Sequence, residues 1–293
     1  VLVLDSAAVS TTGPRPDNQD SAHAAPLLMV IADGVGGNVG GAVASSLVVN
    51  WLAPLGIGLA PGGGPARGSA PGAGPTDLVR VLAGANERIR SAYTERPRLR
   101  SMATTMTAVY ADGEGLLLAH IGDSRGYQLR NGALLQVTTD HTLVQAMIDA
   151  GELTPEEARV HPQRSAVYAA LHGGGEDDLA GLDLIRLDAR VGDRLMVCSD
   201  GLSDVVRPDR ICQLLADAAT PAEAAAALRA AALAGPPTDN ITVVVGDVRE
   251  VRSEDARTMP CTVGAAVDFR EETADALEAL WPGRVAAVVA PPR

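Results

Sequence analysis

Lysine is missing from this 293-residue chain; its 24 basic residues are all arginines. Without lysine there is no Schiff-base chemistry and no P-loop lysine to reach the phosphates of a nucleotide. Aromatic residues are only 2% of the chain, so a core must be built from the aliphatic side chains that dominate its 46% hydrophobic content. The three cysteines, Cys198, Cys212 and Cys261, form no close pair and show no zinc spacing. They read as buried or partly buried free thiols in a reducing compartment. None is followed six residues later by arginine, which excludes a phosphatase loop built on a cysteine nucleophile. Positive charge is scarce as well: the formal net charge is −12. No basic stripe is available to neutralise phosphates, so a nucleic-acid partner is excluded. The purely apolar runs fall well short of the roughly 20 residues that span a bilayer. No charged-then-apolar signal peptide opens the chain. The expectation is a cytoplasmic protein with no membrane span in this chain.

Short β-like runs dominate what is present: LVL near the start, LLMVIA, TTMTAVYA, GLLLAHIG, GYQLR, ALLQVT, DRLMVCS and NITVVVGDV. Asp112-Gly113 joins two of them and Asn131-Gly132 the next two, dipeptides that favour tight primed turns and antiparallel pairing. Helical spacing or strong helix formers mark GGAVASSLVVNWL, DLVRVLAGANERIRSAY, HTLVQAMIDAG, TPEEARVH and TPAEAAAALRAAAL. Two of these open on Thr-Pro-x-Glu, an N-cap with proline at the first helical position. Hairpins mixed with helices predict an α/β or α+β class with antiparallel sheets. Residues 1–248 read as the folded unit, interrupted at 54–75 by a Gly/Pro-rich, low-complexity segment expected to be a flexible surface loop. Residues 249–293 read as a tail with one short helix candidate at 271–281.

The chemistry gathers at the ends of the apolar runs. LLMVIADGVGG carries a run straight into Asp33 and Gly34, and DRLMVCSDGLSD does the same with Asp200. An acid at the end of a buried strand is costly unless it is solvated, paired or bound to a cation. Asp239 and Asn240 precede the run ITVVV, and Asp123 follows GLLLAHIG. Near the start, PRPDNQDS supplies Arg15, Gln19 and Asp20. Oxygen ligands without a His or Cys cluster select hard cations, Mg²⁺ or Mn²⁺. Such a centre can generate hydroxide near neutral pH and clamp a phosphoryl group, with a nearby arginine holding the phosphate bidentately.

These motifs, in this order, resemble the metal-dependent protein serine/threonine phosphatases of the type 2C class. RPDNQD resembles the arginine-bearing first motif and ADGVGG the second; TTMTAVY, HIGDSRGYQLR, DHTLVQAMIDAGELTPEEARVHPQRS, CSDGLSD and DNITVVV follow. The resemblance runs from Asp5 to about Val248, and the long middle stretch is similar to the bacterial branch that opposes Hanks-type kinases. It implies a four-layer sandwich, two antiparallel β-sheets flanked by helices, with the metals in a cleft at one end. It implies Asp33, Asp200 and Asp239 as metal ligands, Gly34 as a ligand through its carbonyl, and Asp123 in a weaker third metal site. Arg15 would bind the substrate phosphate. Two Mn²⁺ or Mg²⁺ ions would activate the attacking water, and phosphorylated proteins, with a Ser/Thr kinase and its substrates among them, would be the partners.

The chain departs from the family at two positions. Gln19 stands where the family has Glu and brings no negative charge to the second metal. Val35 stands where animal members carry a histidine proposed as leaving-group acid, which leaves His141 and His161 as poor candidates. Read without the family, Asp123 is a turn acid and Arg15 a solvated loop arginine. Asp20 either orients a metal-bound water or caps its loop, and Glu156 and Glu157 are first-turn helix acids. His120 is a satisfied sheet histidine, while His23 and His172 face solvent. Ser199 lacks the Gly-x-Ser-x-Gly context of a nucleophile. An active phosphoprotein phosphatase is the main expectation. The alternatives are a sensing module that has lost catalysis and a phosphatase restricted to an anti-sigma-factor antagonist.

Overall fold

Aliphatic runs bounded by turn residues become strands, and the segments of helical period between them become helices. The computed structural model of the chain describes residues 1–35, 39–58, 75–251 and 260–268. Its strands are β1 (Leu2–Thr11), β2 (Asp20–Ala25), β3 (Leu28–Val35), β4 (Ala103–Thr104), β5 (Met106–Ala111), β6 (Leu116–Ile121), β7 (Arg125–Arg130), β8 (Ala133–Gln136), β9 (Asp183–Leu187), β10 (Arg194–Cys198), β11 (Ile241–Glu250) and β12 (Cys261–Gly264). Its α-helices are α1 (Val39–Leu52), α2 (Pro75–Glu95), α3 (Leu143–Asp149), α4 (Pro155–Arg159), α5 (Glu176–Leu179), α6 (Asp200–Ser203), α7 (Pro208–Asp217), α8 (Pro221–Ala234) and α9 (Ala265–Asp268). Among the described residues every strand pair is antiparallel. One sheet runs β1-β11-β10-β7-β8 and the other β12-β2-β3-β5-β6-β9, with β4 added beside β3.

The period of two along a strand builds the layers. On β3, Met29 and Ile31 point between the sheets, into a core shared with Leu4, Leu118, Val197 and Val244. Leu28, Val30 and Ala32 point the other way, against the Leu47, Val48 and Leu52 side of α1 and the Leu82, Ala85 and Ile89 side of α2. On β11, Val244 and Val248 face inward while Val243 and Val245 meet Leu228 and Ala232 of α8. Both faces of the central strands are covered, which is why their sequences read as unbroken aliphatic runs and not as alternation. The stretch Gly40–Ile57 is apolar enough by length and composition to cross a membrane, yet 83% of it is buried within the fold. It is a core helix.

Most of the local signals act as read. Asn131 (φ 50°) and Gly132 (φ 78°) form the two-residue primed turn between β7 and β8. The Asp112-Gly113 turn is longer, residues 112–115, and the Asp112 carboxylate accepts from the Glu114 and Gly115 amides. Thr154 and Thr220 each close a capping box, with Glu157 and Glu223.

Several expectations give way. The segment 54–75 does not begin as a flexible surface loop: Ala53–Ile57 form a 3₁₀ helix whose Ala53, Pro54, Leu55 and Gly56 are buried. Residues 59–74 lie outside the described residues, as does the helix candidate at 271–281. His23 is buried, its Nδ1 2.9 Å from Thr262 Oγ1, because β12 pairs with β2 over it. His172, by contrast, is exposed as expected, 3.0 Å from Asp178. Cys198 is buried and Cys212 partly so, but Cys261, on β12, is exposed.

Residues 260–268 are therefore joined to the sheet, where the sequence alone placed a tail. β12 supplies an edge strand, and Ala265 and Ala266 are buried in the layer that holds α1. A chain ended at Val251 should melt below the full chain, by about 2–4 °C for each kcal/mol lost in a domain of this size. An unchanged melting temperature in a thermal scan would return the segment to the status of a tail.

Candidate metal centre

Strand ends from both sheets open at one end of the sandwich, and the acids sit on them. β2 and β3 pair so that Asp20 lies opposite Asp33. In the other sheet β10 ends at Cys198, Ser199 follows, and Asp200 begins α6. Asp239 and Asn240 lead into β11, the neighbour of β10, and Asp123 lies in the turn from β6 to β7. The structure thus brings Asp33, Asp123, Asp200 and Asp239 into one field, together with Asp20, whose role the sequence left open.

Their electrostatics are mutual. Burial pushes the Asp33 carboxyl well above the usual carboxylate range, and the charges of Asp20, Asp200, Asp123 and Asp239 push it further. Asp200 rises well above that range by burial and then by Asp123, Asp204, Asp239 and Asp20. Asp123 is pushed up to about 7, by burial first and by Asp140 next. Asp20 is pushed up to about 6 by burial, partly offset by hydrogen bonds from Thr242, Ser199 and Asp33. One buried oxygen of Asp20, Oδ1, and one of Asp200, Oδ1, have no hydrogen-bond partner among the described residues. Excess negative charge and orphaned carboxylate oxygens are what a cation would relieve.

The donor set fits a hard divalent ion. Among the described residues no three His, Cys, Asp or Glu side chains close into a cage around one point. A cage is not needed, because Mg²⁺-like ions keep several waters and take only one or two carboxylates each.

Small polar residues to which the sequence gave no such role hold the acids in place. Ser199 Oγ donates to Asp20 Oδ2 at 2.8 Å and accepts from the Thr242 amide, so it ties the acid of one sheet to a strand of the other. Its hydroxyl is fully engaged, in keeping with its having no nucleophile context. Thr105 Oγ1 accepts from the Asp33 amide and lies 2.8 Å from Ser124 Oγ, beside Asp123. Asn240 accepts from the Gln19 amide and donates to the Thr12 and Asp17 carbonyls, which stitches the Arg15 loop onto β11. The glycines after Asp33 and Asp200 have a packing reason. A Cβ on Gly201 would overlap the Asn240 carbonyl, and one on Gly34 would overlap the backbone of Gly41 in α1.

Arg15 is half exposed at the rim. It donates from Nη2 to Asp239 Oδ2 at 2.7 Å and from Nε to the Thr238 carbonyl at 2.9 Å. Gln19 packs its side-chain oxygen against Gly41, and Val35 is exposed. A cleft of about 550 Å³ leads away from Asp123 and Asp200, lined also by Asp140, Asp204, Arg159 and Arg164, with Arg164 Nε 3.8 Å from Asp204 Oδ2. Asp140 is held by Arg125 through three hydrogen bonds of 2.6–3.0 Å. His120 uses both ring nitrogens, on Thr107 Oγ1 and the Thr139 carbonyl, as a sheet histidine should. His161 Nδ1 accepts from the Gln163 amide.

Residues 15–235 match the family described as Protein phosphatase 2C. The chain is 43% identical over 265 residues, 90% of its length, to the serine/threonine protein phosphatase PstP of Mycobacterium tuberculosis, and spans 48% of that protein. It therefore covers about half the length of that curated relative. It is 31% identical to the serine/threonine phosphatase stp of Listeria monocytogenes, over 74% of this chain and 83% of that one. The crystal structure of the M. tuberculosis phosphatase superposes with a TM-score of 0.76 at 41% identity, covering 85% of this chain and 100% of the other. The catalytic domain of PstP in complex with two manganese ions superposes at 0.75 with 40% identity, over 85% of this chain and all of that one.

Raised carboxyl values make the metal-free protein sensitive to pH in a defined direction. Between the ordinary value of 3.8 and the folded values near 6 for Asp20 and 7 for Asp123, the native state binds more protons than the unfolded chain. Metal-free stability should thus rise as the pH falls from about 8 to about 6.5, the reverse of a salt-bridged carboxylate. Buried His120, held at about 4 against an ordinary 6.5, opposes this only below its ordinary value. A melting temperature in chelator that stays flat or drops over that interval would contradict the placement of these acids.

Proposed function

The chain belongs to the protein phosphatase 2C family, and from that membership we propose that it hydrolyses phosphoserine and phosphothreonine on proteins. The observation that carries the proposal is the ring of buried and half-buried carboxylates, contributed by both sheets, with an arginine at its rim. Burial pushes the Cys198 thiol up to about 12, so it is no nucleophile at neutral pH.

Asp33, the Gly34 carbonyl, Asp200 and Asp239 would hold two Mn²⁺ or Mg²⁺ ions, and Asp123 a third, weaker one. When bound, such ions acidify a ligated water and offset charge on the phosphoryl oxygens. Asp20 keeps a fixed acceptor in the site through Ser199. Arg15 presents a planar fork at the rim, where a phosphate entering from the cleft could take the place of Asp239 on it. Gln19, neutral and turned to Gly41, leaves the aspartates as the charge that attracts the ions. The cleft wall bearing Arg159 and Arg164 gives room for the polypeptide around the phosphorylated residue. Phosphorylated proteins, with a Ser/Thr kinase and its substrates among them, are the substrates this reading implies, met in the cytoplasm.

Hydrolysis of a phosphothreonine peptide should require added Mn²⁺ or Mg²⁺ and should survive thiol alkylation. Full turnover in excess chelator, or loss of turnover on alkylation alone, would sink the proposal.

Arg15→Ala should lower kcat/KM by roughly 30-fold or more, the equivalent of about 2 kcal/mol for a charge pair desolvated by substrate. Arg15→Lys should recover only part of it, since a point charge cannot replace the fork. Equal kinetics for the two variants and the parent would confine Arg15 to its ion pair with Asp239.

A further inference from the structure

We propose that His141 is a positioning residue that locks the turn carrying Asp123 to the segment 142–168, which lines the cleft. The inference rests on the assignment of Asp123 as a metal ligand made above. Nothing in the chemistry described so far uses His141.

Gly122 precedes Asp123 with φ +110°, and a Cβ there would lie 2.5 Å from Thr105, so only glycine can make this turn. Both backbone polar groups of Gly122 end on one residue. Its amide donates to His141 Nδ1 at 3.1 Å, and its carbonyl accepts from the His141 amide at 2.7 Å. Because Nδ1 accepts, the ring proton sits on Nε2, which faces Asp183 Oδ2 at 3.2 Å. Asp183 thereby selects the tautomer that can hold Gly122.

The other side of His141 carries the cleft wall. Its carbonyl accepts from the Tyr168 amide at 2.9 Å, Thr142 bridges Val167, and the Leu143 amide donates to the Ala166 carbonyl. Segment 142–168, which includes α3 and α4, is closed at its base by these contacts. The imidazole is buried between the His120 ring, 4.8 Å away, and the Tyr168 ring, 5.7 Å away. His120 cannot turn aside, since both its nitrogens are bonded. A displacement of the cleft wall is thus transmitted through one rigid ring to the backbone next to Asp123.

The decisive comparison is between His141→Leu, which fills the space without an acceptor, and His141→Asn, whose Oδ1 can still accept from Gly122. Mn²⁺ alone is titrated calorimetrically into the metal-free full chain. His141→Leu should weaken the lowest-affinity ion by roughly 10-fold or more, the usual effect of losing an outer partner of a ligand. His141→Asn should stay near the parent. Amide exchange across 142–168 should quicken in His141→Leu while exchange in the β10–β11 ladder stays unchanged. Parent-like titrations for both variants, or equal weakening in both with no change in exchange, would overturn the proposal. Should His141→Leu not fold, Asp183→Ala decides: freeing the tautomer should weaken Mn²⁺ binding at unchanged melting temperature, and unaltered binding overturns the proposal. A parent protein that binds Mn²⁺ but hydrolyses no phosphopeptide would sink the functional reading and leave this comparison intact.

Discussion

Like charges held together away from water set the terms for this molecule. Burial raises the proton affinity of Asp20, Asp33, Asp123 and Asp200, and the charges of neighbouring carboxylates raise it further. A flexible chain would let them part. They stay because each is fixed to the end of a strand or a turn in a sandwich whose strands are buried on both faces, where a shift of one strand would disturb three packed layers. The stability of that core offsets the repulsion, and the repulsion in turn makes the site a strong attractor for cations.

Hydrogen bonds between the two sheets keep the arrangement from splaying. Ser199 spans from Asp20 to Thr242, and Asn240 spans from β11 to the loop bearing Arg15. Each involves a small side chain with few rotamers, so little entropy is lost in ordering it. The glycines of the two Asp-Gly pairs belong to the same framework. They allow one backbone to approach another at the site, which a larger residue would prevent. The ligand role that the family resemblance implies for Gly34 is thus joined by a steric one.

The sheets and the acids at their ends were legible because long aliphatic runs and the Asp-Gly break leave a strong local signal. Less visible were β2, β9 and β12. β2 is DSAHAA, too rich in alanine and polar residues to stand out, and it is a strand because β3 and β12 pair with it. His23 was misread for the same reason, since the partner that buries it lies 239 residues away. Asp20 had no apolar run before it, so nothing local marked it as buried; only its register opposite Asp33 does. Roles for Arg15, Gly34 and Asp123 came from the family resemblance, and residue chemistry alone left them as ordinary loop groups. The structure adds an ion pair from Arg15 to Asp239 that neither source indicated.

The lack of lysine has a structural counterpart in how the guanidiniums are used. Arg125 makes three hydrogen bonds to Asp140, and Arg194 reaches Asp247 through two nitrogens and the Leu215 and Ala218 carbonyls through a third. Arg130 spans Asp188 and Asp193, and Arg15 spans Asp239 and the Thr238 carbonyl. Arg125 grips one carboxylate through its fork and the others bridge two or more groups at fixed angles, which an ammonium on a flexible stem cannot do. Near the carboxylate ring this matters twice. A guanidinium stays charged at any pH the fold survives, so Arg125 keeps neutralising Asp140 as Asp123 beside it gains or loses a proton. It is also anchored, so the positive charge stays on Asp140 and does not drift into the ring, where it would occupy the place of a metal ion. Fixed arginines thus bound the acidic site without quenching it.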